Sequence, residues 1–314
     1  MKKLCALVAL SLGLITANAQ HQINSFFDDL GNVRLETTEL DEAADTLVTV
    51  FHRKEDVVWA RVVYSIIDMR MKQNYQLYFP TRSDDPRYKS LFKVILDAIA
   101  DGMPIYEKSM DNIKPDFIQP PLDRQMVPTL TMIDDPLEDY SNEENRYNVE
   151  TSDAMLLHYD SATNVMTTHL YGYEDFVRNQ LKYMVQEVIF FDRHTSRLYR
   201  KLIAIAPLHA DKIVSFEPDM VMNAMLESIL FWIPFDYLRP YLAKQYVITS
   251  ENETKRITFE EYFQKRLYTS YLLGESNMYD RMILDYAKDE KEVKQEQARI
   301  ERELLSFEQD LWEY

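Results

Sequence analysis

The sequence predicts an α+β fold, with mixed small sheets packed against helices and ending in a helical hairpin with a long C-terminal helix. Three observations lead there. Residues 183–206 read as two apolar strands around a polar turn. Residues 258–311 carry a helix cap followed by a heptad seam, and residues 75–106 read as strand, helix, strand at close spacing. With 46% hydrophobic residues in a chain of 314, there is material for one large core or two modest ones.

The chain opens on "MKKLCALVALSLGLITANA", in which Lys2 and Lys3 precede an apolar run from Leu4 to Thr16. Ala17-Asn18-Ala19 then places small residues where a signal peptidase reads them, so residues 1–19 are expected to be a leader cut between Ala19 and Gln20. A helix buried in the core is the competing reading, and the run is too short to span a bilayer. The single cysteine, Cys5, lies inside this leader, so the mature chain has no thiol for a disulfide, a metal site or a nucleophile. Cys5 also precedes the apolar region, too early for lipid attachment. The expected product is exported and held at a membrane only through a partner.

Without Lys2 and Lys3, 33 basic residues face 52 acidic ones, a net charge of −19. Nucleic acids and anionic lipid surfaces would repel such a chain. Of its five glycines one falls in the leader, and none of the rest forms a phosphate-binding loop or dinucleotide fingerprint. No cofactor is expected.

Residues 20–50 are polar and acidic and read as an N-terminal arm or linker. A first α/β lobe is expected over 51–113. There Val58, Trp59, Val62, Val63, Ile66 and Ile67 share one face of a predicted helix; their β-branching would suit a strand, but the run is long for one. "YQLYFP" then reads as a strand, Asp85-Pro86 as the cap of a helix that stops at Gly102, and Ile105–Tyr106 as a second strand. Residues 114–150 form an acidic, proline-rich loop containing "IDDPLEDYSNEEN". The second lobe, 151–256, holds the predicted β-hairpin, a strand at "ILFWIPF" and a short helix interrupted by Pro240. C-terminal helices occupy 257–314. Thr258 and Glu261 form a capping box for a helix ending at Gly274, and a second helix runs from Ser276 or Asn277 towards Tyr314, about 50 Å if continuous. Its seam is Val293, Ile300, Leu304, Phe307 and Leu311, broken by Gln297. These five are the candidate interface, or equally an internal core.

Candidate chemistry is sparse. Asp192, His194 and Ser196 fall within five residues, which suggests a triad. A triad must converge in space beside an oxyanion hole, however, and no G-x-S-x-G elbow supports Ser196; these are common turn residues. His21, His52, His158, His169, His194 and His209 show no metal-ligand spacing. The acidic run Asp134, Asp135, Glu138, Asp139, Glu143 and Glu144 lacks the order and the glycine of a calcium loop. The chain has 21 tyrosines, but Tyr262, Tyr268 and Tyr271 sit at helical spacing beside Phe259 and Phe263, as core or interface residues do.

Five blocks carry a resemblance. "EDVVWARVVYSIIDMRMKQNYQLYFP", "FFDRHTSRLYRKLIAIAPL", "LFWIPFDYLRPYLAK", "ITFEEYFQKRLYTSYLLGESNMYDR" and "FEQDLWEY" occur in order between Glu55 and Tyr314. Together they resemble the GldN/PorN family of gliding-motility and type IX secretion proteins of Bacteroidetes, departing at Ile189, where an aromatic residue is expected. The resemblance implies a periplasmic, non-enzymatic subunit of a ring associated with the inner face of the outer membrane. It implies a lipoprotein partner of the GldK/PorK type there, contacts with inner-membrane motor proteins of the GldL/PorL and GldM/PorM type, and self-association. The alternative is a periplasmic peptidoglycan-binding module or hydrolase.

Overall fold

A computed structural model describes residues 46–47, 52–81, 86–109, 113–130, 156–168, 182–208, 229–248, 257–279, 281–287 and 289–310, all within the unit Leu40–Tyr314. The leader with Ala19 and Gln20, most of the arm, Asp85, the run 131–155 and Leu311 lie outside these residues.

The first correction is at β1 (Val57–Asp68), a strand of 12 residues where a helix was expected. Its side chains alternate, with Val63, Ser65 and Ile67 on one face and Tyr64 and Ile66 on the other, all buried. A strand covered on both faces shows no polar alternation, and its paired apolar positions then imitate a helical stripe. The β-branched residues Val57, Val58, Val62, Val63, Ile66 and Ile67 were the better signal.

"YQLY" is likewise not a strand but a single helical turn, α1 (Tyr75–Tyr78). The preceding Asn74 redirects the chain. It is fully buried; its Nδ2 donates to the carbonyls of Asp68 (2.8 Å) and Thr269 (2.7 Å), and its Oδ1 accepts from the Thr269 N–H (2.9 Å). The next helix, α2 (Leu91–Ala100), is capped by Ser90, whose side chain accepts from the Lys93 N–H; Pro86 lies in a turn before it. The stop at Gly102 is as expected. Its φ is 104°, the Gly102 N–H donates to Ile99, and the Met103 N–H donates to Ala98, a Schellman closure that a β-carbon would strain. The strand expected at Ile105–Tyr106 is reduced to a bridge between Tyr106 and Trp232.

After α3 (Val127–Leu130), the strands β2 (Leu157–Asp160) and β3 (Val165–Thr168) form a small hairpin. The predicted long hairpin follows as β4 (Lys182–Asp192) and β5 (Arg197–Leu208), with Ser196 at φ 52° in its turn. "ILFWIPF" contributes only the two-residue β6 (Ile233–Pro234) before α4 (Phe235–Leu242), which continues through Pro240 instead of breaking there. β7 (Tyr246–Val247) pairs with β8 (Ile257–Thr258).

Thr258 caps α5 (Phe259–Gln264) as predicted, its Oγ1 accepting from the Glu261 N–H at 3.2 Å. The helix ends after six residues, however, and "SYLLGE" is a strand, β9 (Ser270–Glu275). One arm of the expected helical hairpin is therefore mostly a sheet edge. The long C-terminal helix is present as α6 (Glu290–Asp310), 21 residues and about 31 Å long at 1.5 Å per residue, shorter than expected.

The strands assemble in the order β6-β5-β4-β1-β9, all antiparallel. The segments 51–113, 151–256 and 257–314 thus share one sheet. On one face Ile67, Tyr183, Val185, Leu202 and Ile205 pack beneath α2, α4 and α5. Towards the β9 side of that face, Val63, Ile189 and Leu272 pack beneath α6. The opposite face buries Tyr64, Ile66, Met184, Ala204 and Ala206 against Ile113, Trp232 and Met282. Register shifts keep both faces apolar: β5 skips Ile203 against β4, so that Leu202 and Ile205 stay on the helical side.

Candidate functional site

The turn between β4 and β5 separates the Asp-His-Ser cluster into unrelated contacts. Asp192 is buried; its Oδ1 accepts the His194 backbone N–H (2.8 Å), while its Oδ2 lies 2.6 Å from Nδ1 of His52. Ser196 donates to the Arg193 carbonyl at 3.5 Å. Asp192 is therefore oriented by a histidine from far away in the chain, and the three clustered side chains form no relay. The hydrogen bond to His52 holds the Asp192 carboxyl below the usual carboxylate range. His52 in turn packs between Phe190 and Tyr199, with ring centroids 4.9 and 4.3 Å away. Among the described residues, no group of three or more His, Asp or Glu is placed to hold a metal ion, and no helix is long and apolar enough to cross a membrane.

The seam of α6 faces inward. Ile300 and Leu304 are 1% and 6% exposed, in contact with Val63, Ile189 and Leu272 of the sheet. Val293 packs at the rim, and Phe307 stacks on Trp59 with centroids 4.4 Å apart. Ile300 and Leu304 are thus buried within the chain, Val293 and Phe307 pack against it while staying partly exposed, and Leu311 lies outside the described residues. Gln297, the break in the heptad, donates from Nε2 to the Leu272 carbonyl on the outer edge of β9. A polar residue in an apolar seam here satisfies a sheet edge that would otherwise be left open.

Between the helices lies a polar gap. Glu187 of β4 is 2% exposed and faces the same side as Val185 and Ile189. A lone carboxylate there would be costly, so it is paired. Tyr268 donates its phenol to Oε1 at 2.8 Å, and Arg266 Nη2 lies 3.2 Å from Oε2. Burial raises the Tyr268 pKa and keeps that phenol a donor. Arg266 adopts φ 51°, a left-handed conformation that costs a non-glycine residue about 1 kcal/mol or more. Two clefts meet at Glu187, Arg200 and Arg266. One, of about 130 Å³, has Phe235, Phe263 and Leu202 in its walls. The other, of about 280 Å³, runs under α6 past Ser65, Leu272, Glu301 and Glu308. Ser65 is 4% exposed and its hydroxyl has no hydrogen-bond partner among the described residues. Burial, and then the charge of Arg266, push the Arg200 guanidinium below its usual range.

A second buried ion pair flanks the smaller cleft. Arg239 Nε donates to Glu260 Oε1 at 2.7 Å, with Glu260 fully buried. Together they hold the backbone of one residue of the arm, since Glu260 Oε2 accepts the Leu47 N–H at 3.0 Å and Arg239 donates to the Leu47 carbonyl. Sequence reasoning missed both carboxylates. Glu187 was detectable as a charge on the inward register of "YMVQEVIFF"; Glu260 sits in the first turn of α5, where acidic residues are ordinary. This arrangement holds backbone and charge in place.

A family model described as "Gliding motility associated protein GldN" matches residues 52–313. Among curated proteins, nothing matches.

Proposed function

We propose, from the premise that the chain belongs to the GldN family and so to the gliding-motility machinery, that it is a non-enzymatic structural subunit of the periplasmic ring of the type IX secretion system. In this reading the leader directs it to the periplasm. A lipoprotein of the GldK/PorK type holds it at the inner face of the outer membrane, copies associate head to tail, and motor proteins of the GldL/PorL and GldM/PorM type are further partners. The observation that carries the reading is the extent of the match. It runs from His52, at the start of the sheet, to beyond the end of α6, so the family character resides in the whole fold and not in one motif.

The separation of Asp192, His194 and Ser196 supports a binding role over hydrolysis. Closing a ring needs two different patches on each protomer. The test is to purify the mature chain alone and together with the lipoprotein, and to follow its assembly by sedimentation. A large assembly that forms only with the lipoprotein is expected. Monomers under both conditions, or retention on bare peptidoglycan sacculi without the lipoprotein, would overturn the reading.

A further inference from the structure

Among the described residues, the outer edge of β5 is covered along only half its length. Ile229 bridges Leu208, the Leu230 N–H donates to the Pro207 carbonyl, and Ile233 and Pro234 pair with Ile205 and Ala204. At Phe235 the chain turns into α4, and Pro234 has no N–H with which to extend the ladder. Among the described residues nothing pairs with the outer edge from Arg197 to Leu202. Arg200, Lys201 and Leu202 all line the smaller cleft. Successive side chains of a strand point to opposite faces, so a cleft touching three in a row opens from the helical face onto the edge, next to α4.

We propose that this open edge is a docking site for an extended, carboxylate-bearing segment of a partner polypeptide, which adds beside β5 as a strand. Main-chain hydrogen bonds would supply affinity, and alternate side chains the specificity. Charge selects the class of partner. Arg197 and Arg200 make no ion pair among the described residues, whereas three carboxylates around the smaller cleft are engaged: Asp236 with Lys201 (3.2 Å), Glu187 with Arg266 and Tyr268, and Glu260 with Arg239. Glu301 and Glu308 line the neighbouring cleft; Glu187 and Glu308 attract Arg200 at longer range than an ion pair, which leaves Arg197 as the cation with no carboxylate against it among the described residues. A basic edge is unusual in a chain of net charge −17. Across the cleft, Arg239, together with Glu260 behind it, already binds the backbone N–H and carbonyl of Leu47, so main-chain groups are held beside this site. Edge cations also guard against unwanted pairing, and those that repel a basic strand admit an acidic one. The inference does not depend on which assembly the chain serves.

The test uses the mature chain and two fluorescent peptides of alternating Glu-Leu or Lys-Leu. Anisotropy should show the glutamate peptide bound and the lysine peptide roughly tenfold weaker. The double variant Arg197→Glu/Arg200→Glu should invert that preference, and Lys291→Glu on α6 should not change it. Hydrogen exchange should slow at the amides of residues 197–202 in the complex, a readout that does not depend on any variant folding. Equal affinity for both peptides, unchanged binding in the double variant, or exchange at β5 unaffected by peptide would each overturn the proposal.

Discussion

Replacing Leu304 with alanine separates a seam that packs inside the chain from one that packs between chains. Leu304 is 6% exposed, against Leu272 and Val63, while its neighbour Leu305 is 54% exposed. Removing three buried carbons at about 0.8 kcal/mol each gives roughly 2.4 kcal/mol. A residual cavity would raise that towards the 2.7–5 kcal/mol seen for typical core Leu→Ala changes. Leu304 also lines a cleft, so the helix can settle into the space, and we expect about 2–3 kcal/mol. The cluster under α6 is small, so the loss should appear first as local opening of that helix. At about 1.4 kcal/mol per tenfold, amides of residues 295–310 should exchange roughly 30- to 140-fold faster by mass spectrometry. Leu305→Ala should cost about 0.5 kcal/mol or less. The reasoning fails if both variants have the same urea midpoint and exchange profile while Leu304→Ala alone loses self-association; that would make the seam an intermolecular one.

Three further outcomes are expected. Asn74→Ala removes three hydrogen bonds and strands buried backbone groups of Asp68 and Thr269, costing about 2–4 kcal/mol in urea denaturation; a near-neutral result would refute the role given to Asn74. Gly274→Ala places a β-carbon 2.6 Å from the Met282 sulfur and 3.3 Å from its Cα. We expect a loss of about 1–3 kcal/mol, partly recovered with Met282→Ala, and additive effects would contradict the contact. Burial pushes Tyr262 and Tyr271 up to about 12, while unfolded phenols ionise near about 10. The unfolded state therefore releases its protons first. This contribution to stability is complete below about pH 10 and is lost as pH rises towards about 12. Unfolding and tyrosinate absorbance should rise together across that window, and a flat denaturation midpoint would count against the burial.

Local signals were legible where neighbours in sequence are also neighbours in space. The β4–β5 hairpin, the Thr258 cap, the Gly102 closure and the long C-terminal helix all rest on contacts within a few residues. Misreadings came where burial on both sides erased periodicity, at β1, or where pairing with a distant strand overrode a helical pattern, at β9. Leu272 and Leu273 look like one helical face in sequence. In the structure they serve opposite faces of the sheet, because β1 was there to pair with them and a register shift separates them. The candidate site was less legible still: Glu187 lies about 80 positions from Arg266 and Tyr268 in the chain, and nothing local ties it to them.

The amino-acid sequence by itself determined the α+β class, the acidic balance and the family blocks, because composition and short-range chemistry survive without a partner strand. Tertiary structure decided which apolar residues are internal and which edge has no partner among the described residues. Those outcomes depend on what packs across the sheet. Ile300 and Leu304 are core because Val63 and Leu272 lie beneath them. The half of β5 from Arg197 to Leu202 is free because the chain turns at Pro234 into a helix, leaving its backbone donors and acceptors without a neighbour among the described residues.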